Sequence, residues 1–372
     1  MWAPMLAAGL VAAAGLAIAQ EYRAGHPDTY VVQKGDTLWD IAGRFLKRPW
    51  LWPEIWQANP QVKNPHLIYP GDVLSLAYIN RGPMTGAPIP GVPLAQVEPF
   101  LKDLRIYDKV DDLPYVVGLE EDRMRSIRGQ AVYVRGLAGA QVGQRFAVLR
   151  PTLRYTRLDR KTCCDIMFRD QLNYRGRRTI DFANFWTSAV TPDNGHELLG
   201  FEMRRVNAGV ITRGEVGGIE ASTLLLDDPS YEVRIGDRVV PVESIPYDLT
   251  FVPHPPKQQF PYQRAQVLSV ADRDHIGGPR DVVALSVGAR DGIDNGTVFS
   301  IWRVGSNAVD RVKVPERDAA FVGSADTVRL PDEFAGHVMV FRTFDKVSYG
   351  LVMDGIRPTR AGYELKHPDA TY

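Results

Sequence analysis

Four of the seven tryptophans in this chain fall within eighteen residues, from Trp39 to Trp56. A Gly-Asp pair flanks this cluster on each side, at residues 35–36 and 71–72. Side chains of this size, at this density, either fill the core of a very small domain or form a binding surface. The residues around the cluster therefore decide what the N-terminal part of the chain can fold into.

The first half of this block predicts a strand followed by a helix. Residues 29–33, TYVVQ, suit a strand, and Gly35-Asp36 supplies a turn after them. Thr37 is a strong helix N-cap, and Asp40 three residues later completes a capping-box pattern. The apolar residues of this segment recur with the helical period, at positions 38, 41, 42 and 45. We therefore expect a short amphipathic helix that buries one face.

The second half of the block predicts another helix and a closing strand. Pro49 ends the first helix, and Pro53 suits the first position of a second helix, PEIWQA. Asn59-Pro60 stops that helix, because the residue before a proline avoids the helical region. The sequence YPGD, residues 69–72, predicts a type II turn that leads into the alternating run VLSLAY. We expect a two-stranded sheet covered by two helices in about 50 residues.

With its elements in this order, the block resembles the LysM domain. The resemblance rests on the opening YVVQKGDTLWDIA, on the later Asn59 and on the closing IYPGDVL. It implies binding of glycans that contain N-acetylglucosamine, chiefly bacterial peptidoglycan, in a shallow groove between the first strand–helix loop and the second helix–strand loop. Transferred by position, it assigns one wall of the groove to each loop. The assigned residues are Gly35, Asp36, Thr37 and Leu38 in the first loop, and Asn59, Pro60, Asn64, Pro65 and Ile68 in the second.

The tryptophans are divided between two roles. Trp39 and Trp56 fall on the predicted helices and are interpreted as core residues, because so small a domain without a disulfide needs bulky side chains to fold. Trp50 and Trp52 lie beside prolines in KRPWLWPEIW, a stretch that departs from the LysM pattern. For these two, stacking on a sugar ring, contact with a protein and plain packing all stay open, since nothing in the sequence orients the rings.

The N-terminus carries an export signal. An apolar stretch from about Leu6 to Ala19 ends in Ala17-Ile18-Ala19, the small-x-small pattern that signal peptidase cleaves. No Lys or Arg precedes it, which leaves two explanations open: the true start lies upstream, or the segment stays uncut as a membrane anchor, for which about 18 apolar residues are just long enough. Both outcomes predict a periplasmic or cell-envelope location, with membrane contact only through an uncleaved N-terminus.

The charge balance and the two cysteines argue against a nucleic-acid partner and against a disulfide or metal site. The 44 basic and 44 acidic residues balance without a long run of like charge, so no nucleic-acid partner is expected. The two cysteines, Cys163 and Cys164, are adjacent, and neighbouring cysteines form a disulfide only with strained geometry. They are interpreted as packed or exposed thiols rather than a redox pair or half a metal site.

Beyond a Pro- and Gly-rich stretch at residues 81–99, the chain is β-rich and internally repeated. Short runs of alternating apolar and polar residues are separated by Gly, Pro, Asp and Asn. Three pairs of segments match in the same order along the chain. The pairs are 136–150 with 288–303, 200–203 (GFEM) with 336–339 (GHVM), and 234–241 (RIGDRVVP) with 360–368 (RAGYELKHP). Phe146 to Gly200 spans 54 residues and Phe299 to Gly336 spans 37, which predicts a 17-residue insertion in the first copy.

Familiar catalytic and metal-binding patterns are not recognised in the sequence. The histidines lack H-x-H or H-E-x-x-H spacing, and KTCCDIM lacks the Gly or His of a cysteine-nucleophile turn. There is no G-x-S-x-G elbow or phosphate loop. A glycosidase needs only two placed carboxylates, which cannot be singled out among 44 acidic residues. We predict that the chain is not an enzyme and uses no metal or cofactor.

These observations predict a mixed α+β chain with five segments. The segments are a signal peptide or membrane anchor (1–25), a βααβ LysM domain (28–78), a linker (79–99), a β-rich module (100–247) with an insertion near 155–190, and a second, internally similar β-rich module (264–372). The β half also resembles the C-terminal region of proteobacterial LysM proteins of the envelope, most of them without assigned activity. That resemblance rests on YVRGLAGAQVGQRFAVLRP and LPDEFAGHVMVFRTFDKVSYGLVMDGIRP.

The predicted function is non-catalytic binding of peptidoglycan, with the chain acting as a wall-anchored adaptor or scaffold. Its partners are expected to be peptidoglycan glycan strands and, through the β modules, an envelope protein or a second copy of the chain. Two alternatives stay open. The chain is a wall-remodelling enzyme with an unrecognised active site, or its LysM fold serves as a protein-interaction module.

Overall fold

The computed structural model describes most of the chain in separate ranges. These are residues 27–62, 68–76, 92–93, 104–157, 169–172, 186–189, 197–242, 250–258, 265–271, 276–312 and 327–370. The predicted export segment, most of the linker, Asn64, Pro65, Cys163 and Cys164 lie outside them. Within these ranges no helix has the length and apolar character needed to cross a membrane. The chain divides into two compact units, Met1–Ile89 and Pro90–Tyr372.

The first unit has the predicted strand–helix–helix–strand order. Its elements are β1 (Thr29–Val31), α1 (Leu38–Phe45), a 3-10 turn (Pro49–Leu51), α2 (Trp52–Gln57) and β2 (Val73–Ser75). The two strands pair antiparallel, with Tyr30 opposite Leu74. Both halves of the predicted capping box are present. The Thr37 hydroxyl accepts the Asp40 N–H at 3.1 Å, and the Thr37 N–H donates to Asp40 Oδ2 at 3.1 Å.

The second unit is rich in β-strands and contains a barrel and a half-barrel with the same strand order, which are called the first and second barrel below. The strands of the first barrel are β5 (Tyr115–Leu119), β6 (Ala131–Arg135), β7 (Arg145–Thr156), β10 (Leu198–Arg213), β11 (Ser222–Leu226) and β12 (Arg238–Pro241). Those of the second barrel are β14 (Val267–Val270), β15 (Val282–Leu285), β16 (Val298–Arg303), β19 (Glu333–Thr343), β20 (Ser348–Gly355) and β21 (Glu364–Lys366). The mixed α+β class with two β-rich modules is thus confirmed.

Each barrel is a circuit of antiparallel pairings around its own apolar core. The first runs β5-β6-β11-β10-β7-β12 and returns to β5. The second runs β14-β15-β20-β19-β16-β21, and the segment around β21 meets the start of β14 through the bridge between Gln266 and Glu364 and through backbone bonds such as Leu365 N–H to Ala265 O at 2.9 Å. The remaining described strands are β3 (Val92–Pro93), β4 (Leu104–Tyr107), β8 (Arg169–Leu172), β9 (Trp186–Ala189), β13 (Thr250–Phe251), β17 (Asn307–Val309) and β18 (Thr327–Arg329).

Equivalent backbone hydrogen bonds extend the internal similarity to individual residues. The Val116 N–H donates to Asp237 O at 2.8 Å, and its counterpart, the Val267 N–H, donates to Tyr363 O at 2.8 Å. An isolated bridge joins Ser126 to Val233 in the first copy, and the corresponding bridge joins Gly277 to Thr359 in the second. These four residues each stand five positions before the start of β6, β12, β15 and β21, respectively. The two modules therefore share one strand register.

One part of the predicted alignment is wrong. Val148 lies opposite Asn207, and its counterpart Ile301 lies opposite Gly336, so Gly336 corresponds to Asn207 and not to Gly200. Phe146 to Asn207 spans 61 residues, 24 more than Phe299 to Gly336, so the insertion is longer than the predicted 17. The local likeness of GFEM to GHVM was misleading because pairing with β7 and β16 sets the register.

The additional residues include an extension of two strands of the first barrel. β7 and β10 stay paired as far as Thr156 and Leu198, and β4 pairs with the outer part of β10, Tyr107 opposite Phe201. The paired extension formed by residues 151–156 and 198–203 is called the arm. In the second barrel the corresponding strands β16 and β19 are shorter, with 6 and 11 residues against 12 and 16.

Candidate functional site

Two loops of the first unit lie side by side. Loop 1 is residues 32–37, between β1 and α1, and loop 2 is residues 58–72, between α2 and β2, of which 63–67 are not described. The Val32 N–H donates to Asp72 O at 2.8 Å, and the Gly71 N–H donates to Val32 O at 2.9 Å. These two bonds fix the start of loop 1 against the end of loop 2.

Asp36 organises loop 1 from within. Its carboxylate accepts the Gln33 N–H, the Tyr30 hydroxyl and Arg44 Nη2, each at 2.8 Å, and its side chain is only 5% exposed. Burial opposes ionisation of this carboxyl, but the three donors outweigh it and hold the pKa of Asp36 below its ordinary value. The side chain therefore shapes the loop, while Gln33, Lys34 and Gly35 are exposed to solvent.

The other predicted residues of the first wall divide between the surface and the interior. Thr37 caps α1, and Leu38 is buried in the core. Gly35, with φ of 94°, is exposed at the tip of the turn. A ligand placed on loop 1 therefore meets Gln33, Lys34 and Gly35, because the Asp36, Thr37 and Leu38 side chains are committed to the fold.

The second wall has a similar division. Asn59 is completely buried, and its amide contacts the backbone of α2 and β2. Pro60 is exposed and Ile68 is half-buried. Asn64 and Pro65 lie outside the described residues, so their predicted role stays a prediction.

Trp50 and Trp52 are core residues rather than a stacking platform. They are 3% and 2% exposed, so neither indole offers an open face to a sugar. Of the three alternatives left by the sequence, plain packing is the one that this burial fits. Trp50 lies in the 3-10 turn at Pro49–Leu51, which runs directly into α2, and Trp52 is the first residue of that helix. Trp39 is also buried.

Tyr69 was not among the predicted groove residues, yet it is the aromatic side chain that loop 2 exposes in its described part, at 62%. Its N–H donates to Asp72 Oδ2 at 2.8 Å, within the turn that is bonded to Val32. The sequence shows that Tyr69 precedes the Pro-Gly turn, but no local pattern there indicates how exposed its ring is.

A Ser–His–Asp row occurs on the second barrel. Ser300 lies opposite His337 on neighbouring strands, and His337 lies opposite Asp354, with His337 Nδ1 at 3.0 Å from the Asp354 carboxylate. However, Ser300 is completely buried, and its hydroxyl donates to His367 O at 2.7 Å. The hydroxyl proton is thus directed away from the imidazole, and the row is interpreted as structural. The described residues contain no group of three or more His, Cys, Asp or Glu that could hold a metal ion.

Comparison with known proteins identifies the first unit. Residues 30–77 match the family model of the LysM domain. A 60-residue segment is 40% identical to the uncharacterized protein YqbP of Bacillus subtilis (strain 168), covering 13% of this chain and 27% of YqbP. The chain therefore contains a LysM domain at residues 30–77, and the C-terminal region is unassigned. LysM domains are generally modules that bind peptidoglycan or N-acetylglucosamine.

Proposed function

We propose that this LysM-containing chain is a non-catalytic peptidoglycan-binding protein of the bacterial cell envelope, which acts as a wall-anchored adaptor or scaffold. The observation that carries the proposal is the LysM match at residues 30–77. It is supported by the geometry of the two loops, which lie side by side and both expose residues to solvent. An envelope location is supported by the export pattern at residues 1–25.

The proposed binding surface is formed by the exposed residues of both loops. Gln33, Lys34 and Gly35 in loop 1 and Pro60, Tyr69 and Gly71 in loop 2 are exposed. The backbone groups of Gln33 and Tyr69 already bond within their own turns, so an acetamido group, with one N–H donor and one carbonyl acceptor, would pair chiefly with the exposed backbone of Lys34 and Gly35. Buried Asp36 and Asn59 would hold these loops in place before the ligand arrives. Because the surface is small, a single module should bind short glycans weakly.

In this role the second unit is a binding surface for another protein and not a catalytic domain. Its two barrels provide a broad surface for an envelope protein or for a second copy of the chain. A second copy would place two LysM domains on one glycan network and so raise the overall affinity by avidity.

Co-sedimentation with purified sacculi tests the glycan-binding part of the proposal. The full chain should pellet with sacculi and be released by chitin oligosaccharides. Tyr69→Ala should reduce retention several-fold, because it removes the exposed aromatic beside loop 1. The matched control is Tyr231→Ala, which removes a tyrosine 50% exposed on the second unit and should leave retention unchanged. Absence of retention with a folded chain would contradict glycan binding.

The non-catalytic part needs a separate measurement. Sacculi incubated with the chain should release no soluble muropeptides above the level of a buffer control. Release of defined fragments would replace the adaptor role with a wall-remodelling activity. Capture of a protein partner without retention on sacculi would instead favour a protein-interaction module.

A further inference from the structure

A buried carboxylate in the arm reaches hydroxyl groups of the second barrel. Glu202 is 5% exposed. Its Oε1 accepts the Thr152 hydroxyl at 2.6 Å, and its Oε2 accepts the hydroxyls of Tyr155 at 2.6 Å and Tyr349 at 2.9 Å. Thr152 and Tyr155 belong to the arm, whereas Tyr349 lies on β20 of the second barrel. One carboxylate therefore binds donors from both barrels.

A second hydroxyl contact joins the arm to the second barrel. Ser269 Oγ, on β14 of the second barrel, is 2.7 Å from the Tyr155 hydroxyl. Tyr155 has a single hydroxyl proton, which is directed to Glu202, so Ser269 is the donor in this contact. Burial, together with the neighbouring Glu202 charge, raises the pKa of Tyr155 and Tyr349 well above the ordinary tyrosine value. Both phenols consequently stay protonated as donors over the whole physiological pH range.

The internal repeat explains why the arm docks where it does. By strand register, Ser269 corresponds to Gly118 of the first barrel, and Tyr349 corresponds to Thr223. Glycine offers no hydroxyl, and threonine cannot reach as far as tyrosine. The corresponding face of the first barrel thus lacks both groups with which the second barrel holds the arm.

The exposure of neighbouring apolar residues also differs between the two equivalent barrel faces. Val117 and Leu225 of the first barrel are 43% and 40% exposed. Their counterparts on the second barrel, Leu268 and Leu351, are each 4% exposed. The face that carries Ser269 and Tyr349 is therefore covered, whereas the equivalent face of the first barrel is open to solvent.

We propose that Glu202, Tyr155, Ser269 and Tyr349 form a docking clamp that couples the two barrels into one cooperative unit. The insertion in the first repeat supplies the arm, and the hydroxyls of the second barrel receive it. Two ion pairs also join the barrels, Glu197 with Arg290 and Asp108 with Lys346. Because they are partly exposed, they should contribute less to the coupling of the barrels than the buried clamp does. The chain then presents one fixed composite surface instead of two independent barrels.

Hydrogen exchange and equilibrium unfolding of the full chain test the clamp. Glu202→Gln keeps the side-chain shape but replaces one acceptor oxygen with an amide donor, and Tyr349→Phe removes one hydroxyl. Both variants should speed amide exchange in residues 266–270 and 348–352 by about tenfold or more, while β16 and β19 of the second barrel change less than twofold. Unfolding should separate from one transition into two, because the barrels lose their coupling.

The matched controls are changes of the same kind outside the clamp. Glu197→Gln alters a 42% exposed carboxylate next to the arm, and Tyr231→Phe removes a surface hydroxyl. Both should leave the exchange of residues 266–270 and 348–352 within twofold of the original chain. If Glu202→Gln does not fold, Tyr349→Phe and Ser269→Ala give the same test. Unchanged exchange in these segments, or acceleration spread evenly over both barrels, would overturn the proposal.

Discussion

Asn59 joins the end of α2 to β2 through Ser75. Its Oδ1 accepts the Ser75 N–H at 2.7 Å, and its Nδ2 donates to Ser75 O at 3.0 Å. The same Nδ2 also donates to Ile55 O at 2.7 Å, and the side chain is completely buried. The LysM resemblance assigns Asn59 to the groove wall, but its buried side chain supports that wall from the interior of the domain.

Asn59→Ala should destabilise the LysM domain by roughly 1–3 kcal/mol, since it leaves buried backbone groups of Ile55 and Ser75 without their partner. Tryptophan fluorescence during urea unfolding of the full chain measures this loss. Gln61→Ala is the milder comparison, because exposed Gln61 donates to Asn59 Oδ1 at 2.9 Å but its loss leaves the Asn59 bonds to Ile55 and Ser75 in place. Asn59→Ala as stable as the original chain would show that Asn59 has no structural role.

Protonation of Asp36 should loosen loop 1 in acid. Because its folded pKa is depressed below the unfolded value of about 3.9, the stabilisation is complete above that value and is lost as pH falls through the folded pKa. The thermal midpoint of the LysM domain should therefore fall as pH is lowered from about 5 to about 3. Asp36→Asn should be less stable at pH 7 and show a flatter profile. Parallel profiles for both proteins would refute this role.

Trp52→Phe should separate stability from glycan binding. The smaller ring leaves a cavity in the LysM core, which should cost roughly 1–3 kcal/mol in the free energy of unfolding. Retention of the folded variant on sacculi should stay within twofold of the original chain, because the indole faces the interior. A large loss of retention at unchanged stability would restore Trp52 as a sugar-stacking residue.

Gly143 and Gly296 form a natural comparison between the repeats. Both precede a barrel strand with left-handed φ, 91° and 95°, but a Cβ at Gly143 meets nothing within 4 Å, whereas one at Gly296 lies 2.3 Å from Val252 O. Gly143→Ala should cost about 1–2 kcal/mol from backbone strain alone. Gly296→Ala should cost clearly more, because the segment around Val252 must also move. Circular dichroism during urea unfolding compares them, and equal losses would contradict the close contact between residue 296 and Val252.

Much of the LysM fold could be predicted because its signals are local. The Thr37–Asp40 capping box, the proline at each helix boundary and the Gly-Asp turns act over a few residues, and the structure places the helices and strands accordingly. The internal repeat of the β half could also be detected in the sequence, since equivalent turns in the two copies need similar residues. The alignment at Gly200 was wrong because strand register depends on a partner strand that local similarity does not reveal.

The sequence by itself determined the LysM domain, the β-rich character of the remainder and the presence of two related copies. Only the tertiary structure decided that Trp50 and Trp52 face inward, that Asp36 and Asn59 support the loops, and that an arm of the first barrel docks on the second. The physical reason is sequence separation. Glu202 and Tyr349 are 147 residues apart, and a contact over that distance is set by how whole barrels pack, which no local pattern encodes.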